Sequence, residues 1–224
     1  KGYYYVSSAP TIVRGKVVLG GWVLDGQYVG EPSGVVRAFD AATGAFVWAW
    51  DMGRPGIHTE PGPGEQYTRG TPNSWGPMSG DEALGLVYAP TGNATPDYWG
   101  AHRSPESEKY TAALVALDIE TGEPRWHFQT VHHDVWDYDV SSQPTLVDVP
   151  IDGKTVPALV QATKRGEVFM LDRRTGKPLA TVEERPVPQG PAKGDWLSKT
   201  QPFSVGMPSF DATVWTEKLM WGVT

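Results

Sequence analysis

The pattern Asp-x-x-Thr-Gly occurs three times, at Asp40–Gly44, Asp118–Gly122 and Asp172–Gly176, and each copy follows a β-rich run. An aspartate side chain can accept bonds from backbone N–H groups just ahead of it, and glycine tolerates positive φ. Each copy therefore reads as the turn of a β-hairpin. Two of the three return arms close on tryptophan, Trp48 and Trp126, large flat side chains suited to packing between neighbouring sheets. Repeated hairpins of this kind point to radial repetition of four-stranded sheets, a β-propeller. The unequal spacing of the three copies fits insertions between blades better than a solenoid, which stacks units of nearly equal length. Three hairpins cannot close a ring. The expected fold is all-β, a partial propeller with roughly half of its blades, forming one domain over residues 1–224.

Composition supports a turn-rich β protein, with Gly 26, Pro 20, Trp 10 and Tyr 9 among 224 residues. At 39% hydrophobic and 20% charged the chain is globular. A formal charge of −7 without any Lys/Arg block excludes a nucleic-acid surface. The absence of Cys removes disulfides and thiolate metal sites, and no apolar run approaches the ~18–20 residues that span a bilayer. The sequence starts at Lys1 with no signal peptide visible, so it reads as part of a longer chain. Further strands are expected at 11–19, 84–89, 144–149 and 156–162, with no long helix. Residues 53–77 and 185–209, rich in Gly and Pro, read as loops, and long ordered loops in a compact domain are usually functional.

Residues 132–139, His-His-Asp-Val-Trp-Asp-Tyr-Asp, crowd three carboxylates, two imidazoles and two aromatics together without helical or strand periodicity. A carboxylate packed against a ring has a pKa its surroundings can set, which suits acid–base work; a solvated acidic loop is the plain alternative. Successive loops add Asp25, Trp75, Asn93 and Lys164, and propellers gather such loops at one end. Taken singly, Trp75 reads as core, Asn93 and Asp25 as turn residues, and Lys164 as an exposed cation. His132 and His133 lack a third ligand at a sensible spacing, so a hydrogen-bonding or substrate-facing role is expected rather than a transition-metal site.

An ordered set of motifs gives these residues a common reading. The chain resembles the membrane-bound quinoprotein glucose dehydrogenases, within the pyrroloquinoline quinone (PQQ) alcohol and sugar dehydrogenases. The resemblance runs through Ser-Ser-Ala-Pro at 7–10, Glu-Pro-Ser-Gly-Val-Val-Arg-Ala-Phe-Asp at 31–40 and Arg-Gly-Thr-Pro-Asn-Ser-Trp at 69–75. It continues through Thr-Gly-Asn-Ala-Thr-Pro-Asp at 91–97, Gln-Thr-Val-His-His-Asp-Val-Trp-Asp-Tyr-Asp at 129–139 and Leu-Asp-Arg-Arg-Thr-Gly at 171–176. Val-Pro-Gln-Gly-Pro-Ala-Lys-Gly-Asp at 187–195 and Thr-Gln-Pro-Phe-Ser at 200–204 complete it. The resemblance implies an eight-bladed propeller with PQQ in a central funnel beside Ca²⁺ or Mg²⁺. It implies that Asp137 is the catalytic base and that Trp75, Lys164 and Ser7 bind the cofactor. Asp25 and Asn93 then bind the metal, although the wider alcohol-oxidising branch has Glu where this chain has Asp25.

The chemistry implied is oxidation of an aldose such as D-glucose to its lactone. PQQ accepts hydride and ubiquinone accepts the electrons, at the periplasmic face of a bacterial inner membrane. Membrane association would come from a segment outside this chain. An ionised Asp can remove the hydroxyl proton while a lysine and a cation stabilise developing negative charge. The enzymatic alternative is a quinate/shikimate or polyol dehydrogenase with the same cofactor and base. The non-enzymatic alternative is a propeller scaffold, which needs the hairpins but not Trp75, Asn93, Asp137 and Lys164 together.

Overall fold

The computed structural model describes residues 4–210 and 216–222. In chain order its strands begin with β1 (Tyr4–Tyr5), β2 (Thr11–Val13), β3 (Lys16–Leu19), β4 (Trp22–Val23), β5 (Val36–Asp40) and β6 (Phe46–Trp50). Next come β7 (Ser79–Asp81), β8 (Leu86–Pro90), a short helix α1 (Pro105–Tyr110), β9 (Ala113–Asp118) and β10 (Pro124–Gln129). The last are β11 (Thr145–Ile151), β12 (Lys154–Ala162), β13 (Val168–Asp172), β14 (Thr181–Pro186) and β15 (Thr200–Val205). All pairings are antiparallel. Two sheets have four strands in the orders β2-β3-β5-β6 and β10-β9-β8-β7; a third is β11-β12-β13, and β1-β4 and β14-β15 are two-stranded. This is the all-β, partial-propeller architecture that the hairpins imply. Among the described residues no helix is long and apolar enough to cross a membrane.

Each repeated turn closes as its residue types dictate. Asp40 Oδ1 accepts from the N–H groups of Ala42 (3.0 Å) and Thr43 (2.8 Å), and Asp118 Oδ1 from those of Glu120 (2.9 Å) and Thr121 (3.1 Å). Gly44, Gly122 and Gly176 take φ values of 73°, 76° and 70°. The turns also lock neighbouring sheets together. The Trp48 ring lies over Gly122 so closely that a Cβ there would meet its Cε3 at 2.6 Å, and its indole N–H donates to Ile119 O at 2.7 Å. Trp126 repeats the arrangement one sheet further on, over Gly176 and donating to Arg173 O at 3.1 Å. A tryptophan from each of the first two hairpins thus docks on the turn of the next.

The middle sheet is buried on both faces, and the period-two alternation of β9 divides its side chains between two cores. Ala113, Val115 and Leu117 join Trp48, Trp50 and Val36 of the preceding sheet, whereas Leu114 and Ala116 join Leu159, Phe169 and Leu171 of the following one. Face-to-face stacking of sheets about an axis leaves their connecting loops at the sheet ends, which is where the candidate site lies.

Three sequence expectations need correction. Residues 11–19 form not one strand but the hairpin β2–β3, which turns at Arg14 and Gly15 with φ of 45° and 70°; turns of this type match the twist of the flanking strands. The return arm of the third repeat is reduced to the isolated Leu171↔Pro178 bridge, because the chain leaves to form β14 against β15. Residues 185–209 therefore contain a strand, β15, despite Pro202. Its pairing to β14 alone suits a proline, which is confined to sheet edges by its missing N–H.

Candidate active site

Five connections at one end of the sheets supply the site: the segment after β4, the 71–75 run before β7, the 91–97 loop after β8, the 130–140 loop after β10 and the β12–β13 turn. Main-chain bonds hold them in register. Gly92 N–H donates to Asn73 O (2.8 Å), Val140 N–H to Thr91 O (3.0 Å) and Asp97 N–H to Asp25 O (3.2 Å).

Asp139 is the hub. Its Oδ1 accepts the Asn93 N–H at 2.8 Å, while its Oδ2 accepts the Trp75 indole N–H at 3.1 Å and Lys164 Nζ at 3.0 Å. Lys164 Nζ also donates to Asp137 O (3.0 Å) and Oδ1 (3.2 Å), and it lies 5.7 Å from the centroid of a Trp75 ring. Trp75, Asn93, Asp137 and Lys164, widely separated in sequence, thus meet around one buried carboxylate. Ser7 joins them through its hydroxyl, which donates to Trp75 O at 3.0 Å. Asp25 sits beside them, its Oδ2 accepting Asn73 Nδ2 at 3.0 Å. All six residues singled out from sequence fall in this neighbourhood. Asp139, Asn73 and Asp97 are the additions. Nothing in the spacing marks them, since their roles depend on contacts between loops.

The electrostatics follow from crowded carboxylates with little positive charge. Burial pushes Asp25 up to about 6, with the Asn73 amide pulling the other way. Burial also takes Asp97 up to about 7, and the negative charges of Asp25, Asp139 and Asp137 add to it. Asp137 is raised by burial and then by Asp139, and the Lys164 ammonium opposes both. Lys164 itself is raised: burial works against its charge, but Asp139 and Asp137 outweigh it. Asp137 has a left-handed backbone, φ 60°, a conformation that aspartate tolerates better than most residues. The lysine contact to its carbonyl holds that turn.

The remaining acids and imidazoles of the 132–139 loop are structural. Asp134 is buried and accepts the N–H groups of Trp136 (2.9 Å) and Tyr138 (2.6 Å). His133 faces Glu108 Oε1 at 3.0 Å and Asp195 Oδ1 at 3.1 Å, and its ring stacks on Trp196 at 3.5 Å. His132 faces Gln129 Oε1 (3.1 Å) and Glu184 Oε1 (3.0 Å). Both imidazoles have hydrogen-bond partners at both ring nitrogens. Tyr138 and Lys164 line a cleft of about 870 Å³ with Arg165, Glu167 and Phe203. A smaller cavity of about 410 Å³, lined by Trp136, Leu197 and Phe203 among others, includes none of the six.

The residues fit a hard cation and a planar cofactor. Asn73 Oδ1, Asn93 Oδ1 and Asp97 Oδ1 are buried acceptors without a donor among the described residues, and such atoms are normally satisfied. Oxygen donors of this kind suit Ca²⁺ or Mg²⁺. Among the described residues no three His, Asp or Glu side chains form a metal cluster on their own, so amide oxygens have to complete the set. Trp75 offers an indole face whose orientation is fixed by Asp139.

The fold and site define a class: stacked propeller-type sheets that carry a lysine, paired carboxylates and an oriented indole on one set of loops. The chain belongs to the PQQ-dependent glucose/ethanol/alcohol dehydrogenase family, whose β-propeller domain matches residues 1–224. It is 55% identical over 225 residues to the glycerol dehydrogenase large subunit of Gluconobacter oxydans (strain 621H), covering 100% of this chain and 30% of that protein. It is 45% identical over 203 residues to the quinoprotein glucose dehydrogenase of Escherichia coli (strain K12), covering 91% and 26%. Among solved structures, the quinohemoprotein alcohol dehydrogenase of Comamonas testosteroni superposes with a TM-score of 0.64 at 28% identity, covering 92% of this chain and 32% of that one. The chain thus spans about 30% of the length of these relatives.

Proposed function

We propose that the full-length protein is a PQQ-dependent dehydrogenase that oxidises a hydroxyl of a small polyol to a carbonyl, with this segment forming the catalytic wall of its propeller. The observation that carries the reading is the Lys164 ammonium, bonded to both Asp137 and Asp139 beside the Trp75 ring. A structural ion pair needs no such indole, and a scaffold needs none of the four. Higher identity to the glycerol enzyme than to the glucose enzyme favours a polyol over the aldose suggested by sequence motifs. Aldose oxidation is the second reading, supported by 45% identity over most of the chain.

PQQ, when bound, supplies the hydride acceptor. The chain's own residues supply the rest. Asp137 takes the substrate hydroxyl proton in its ionised form, which Lys164 favours against burial and the neighbouring Asp139. Lys164 places a positive charge where negative charge develops on oxygen. Trp75, its carbonyl held by Ser7 and its indole N–H by Asp139, would pack against the cofactor when it is bound. Asp25 and Asn93 offer oxygens to Ca²⁺ or Mg²⁺, whose charge adds to that of the lysine. Ubiquinone as final acceptor and the periplasmic membrane face as location belong to the same proposal.

The test is dye-linked oxidation by the full-length protein reconstituted with PQQ and Ca²⁺, comparing glycerol, D-glucose and quinate. The expected result is PQQ-dependent turnover with the highest kcat/KM on glycerol or another linear polyol. A preference for D-glucose would move the assignment to the aldose reading, and no PQQ-dependent oxidation of any of the three would remove both.

A further inference from the structure

We propose that Asp97 and Asn73 are cation ligands, completing an oxygen cage to which Asp25 and Asn93 contribute. The inference rests on the cofactor-site reading above for the kind of cation, a hard divalent ion, but its geometry stands apart from the substrate. Three observations place these residues side by side. The 91–97 loop is tied to the Asp25 segment by the Asp97 N–H, which donates to Asp25 O at 3.2 Å. The Asp97 carboxylate lies along Gly26, where a Cβ would meet Asp97 Oδ2 at 3.6 Å. Asn73 and Asn93 both turn their amide nitrogens into this cluster: Asn73 Nδ2 donates to Asp25 Oδ2 at 3.0 Å and Asn93 Nδ2 to Asp97 O at 3.4 Å.

With the nitrogens so used, the oxygens are left over. Asn73 and Asn93 are 0% exposed and Asp97 6% exposed, yet Oδ1 of each has no donor among the described residues. Buried acceptors are normally satisfied, so three together leave an unmet demand for a donor or a cation. The nearby cations do not meet it. Arg103 spends its guanidinium on the main-chain oxygens of Asp134 (2.7 Å), Asp97 (3.3 Å) and Pro96 (3.4 Å), not on the Asp97 carboxylate. Lys164 is committed to Asp137 and Asp139. Two carboxylates and two amide oxygens form the hard, anionic donor set that Ca²⁺ accepts at six to eight positions and Mg²⁺ at fewer. With Asp25 and Asn93 alone, Asp97 would be a buried acid facing another acid with nothing between them.

The experiment measures cation content, not turnover. Full-length protein is stripped with chelator, dialysed against buffered Ca²⁺ or Mg²⁺ with and without PQQ, and its bound metal is quantified; unfolding temperature is recorded at each concentration. The expected result is one stoichiometric ion in the unaltered protein. Asp97→Asn should raise the half-saturating Ca²⁺ concentration at least about tenfold, the scale of losing a supporting or direct ligand, and should shrink the Ca²⁺-induced rise in Tm. Without metal the same variant should unfold no lower than the unaltered protein, because a like charge facing Asp25 has gone. Asp97→Glu keeps the charge and serves if the amide misfolds: it should retain binding with an altered Ca²⁺/Mg²⁺ ratio. Unchanged Ca²⁺ binding in Asp97→Asn, alongside its loss in Asp25→Asn, would overturn the proposal while leaving the dehydrogenase reading intact. So would absence of a stoichiometric cation with and without PQQ. Cation uptake that depends on Asp97 in a protein with no PQQ-dependent oxidation would instead retire the dehydrogenase reading and keep the site.

Discussion

Asp134, Asp137 and Asp139 share one loop, yet each carboxylate meets different chemistry. Asp139 organises three neighbours, Asp137 pairs with Lys164, and Asp134 caps its own loop through two backbone N–H groups. Sequence reading singled out Asp137 and gave the other two no separate role. The structure separates those two, because the N–H groups that Asp139 satisfies come from distant loops. Asp134 supplies a pH-dependent test. Burial takes its carboxyl to about 6 from 3.8, so the folded state keeps a proton that the unfolded chain has lost between those values. A raised acid stabilises the fold most below pH ~4 and loses that contribution as pH rises through ~6, at most about 3 kcal/mol. Asp134→Asn cannot titrate, and it loses one of the two acceptors. Its Tm should lie furthest below that of the unaltered protein at pH 4, with the gap narrowing by pH 7. A gap constant across that range would show that Asp134 does not hold its proton in the fold.

At the scale of elements, the hairpins carried most of what could be read in advance. Asp-x-x-Thr-Gly fixes its own turn through local bonds, so three turns and the strands before them were legible from residues alone. The docking of Trp48 on Gly122 and of Trp126 on Gly176 was legible only as tryptophan between sheets, since the partner glycine lies in the next repeat. The hairpin at Arg14–Gly15 and the strand β15 were missed for the opposite reason: their residues carry a charged side chain and a proline where simple propensity argues otherwise. The docking contact can be measured. Gly122→Ala adds a methyl 2.6 Å from the Trp48 ring as well as strain at φ 76°, whereas Gly153→Ala at φ 73° meets nothing within 4 Å. Displacing a packed tryptophan costs up to about 3–5 kcal/mol, so Gly122→Ala should lower Tm well beyond Gly153→Ala, which reports φ strain alone. Equal losses would mean that the tryptophan contact contributes little to holding the sheets together.

At the scale of the whole molecule, the sheets stack so that segments distant in sequence end side by side, and the site exists only because they do. Trp75 and Asp139 come from opposite edges of one sheet, Lys164 from the next, and Asp25 from the connection behind β4. Ordered motifs made six of these positions legible through family resemblance. Asn73, Asp97 and Asp139 lie in the same motifs but received no role, because an amide or carboxylate in a loop gains its role from whichever loop packs against it. The central claim is that this convergence is catalytic, with Asp137 as base. The most direct measurement is dye-linked polyol oxidation by full-length protein carrying Asp137→Asn, with PQQ occupancy read separately by absorbance. The amide keeps the shape and can still accept from Lys164, but it cannot take the hydroxyl proton. The account predicts near-complete PQQ occupancy with turnover reduced about 10²–10⁴-fold, the usual cost of losing a general base. Turnover close to that of the unaltered protein at full occupancy would contradict it and leave the 132–139 loop a structural element.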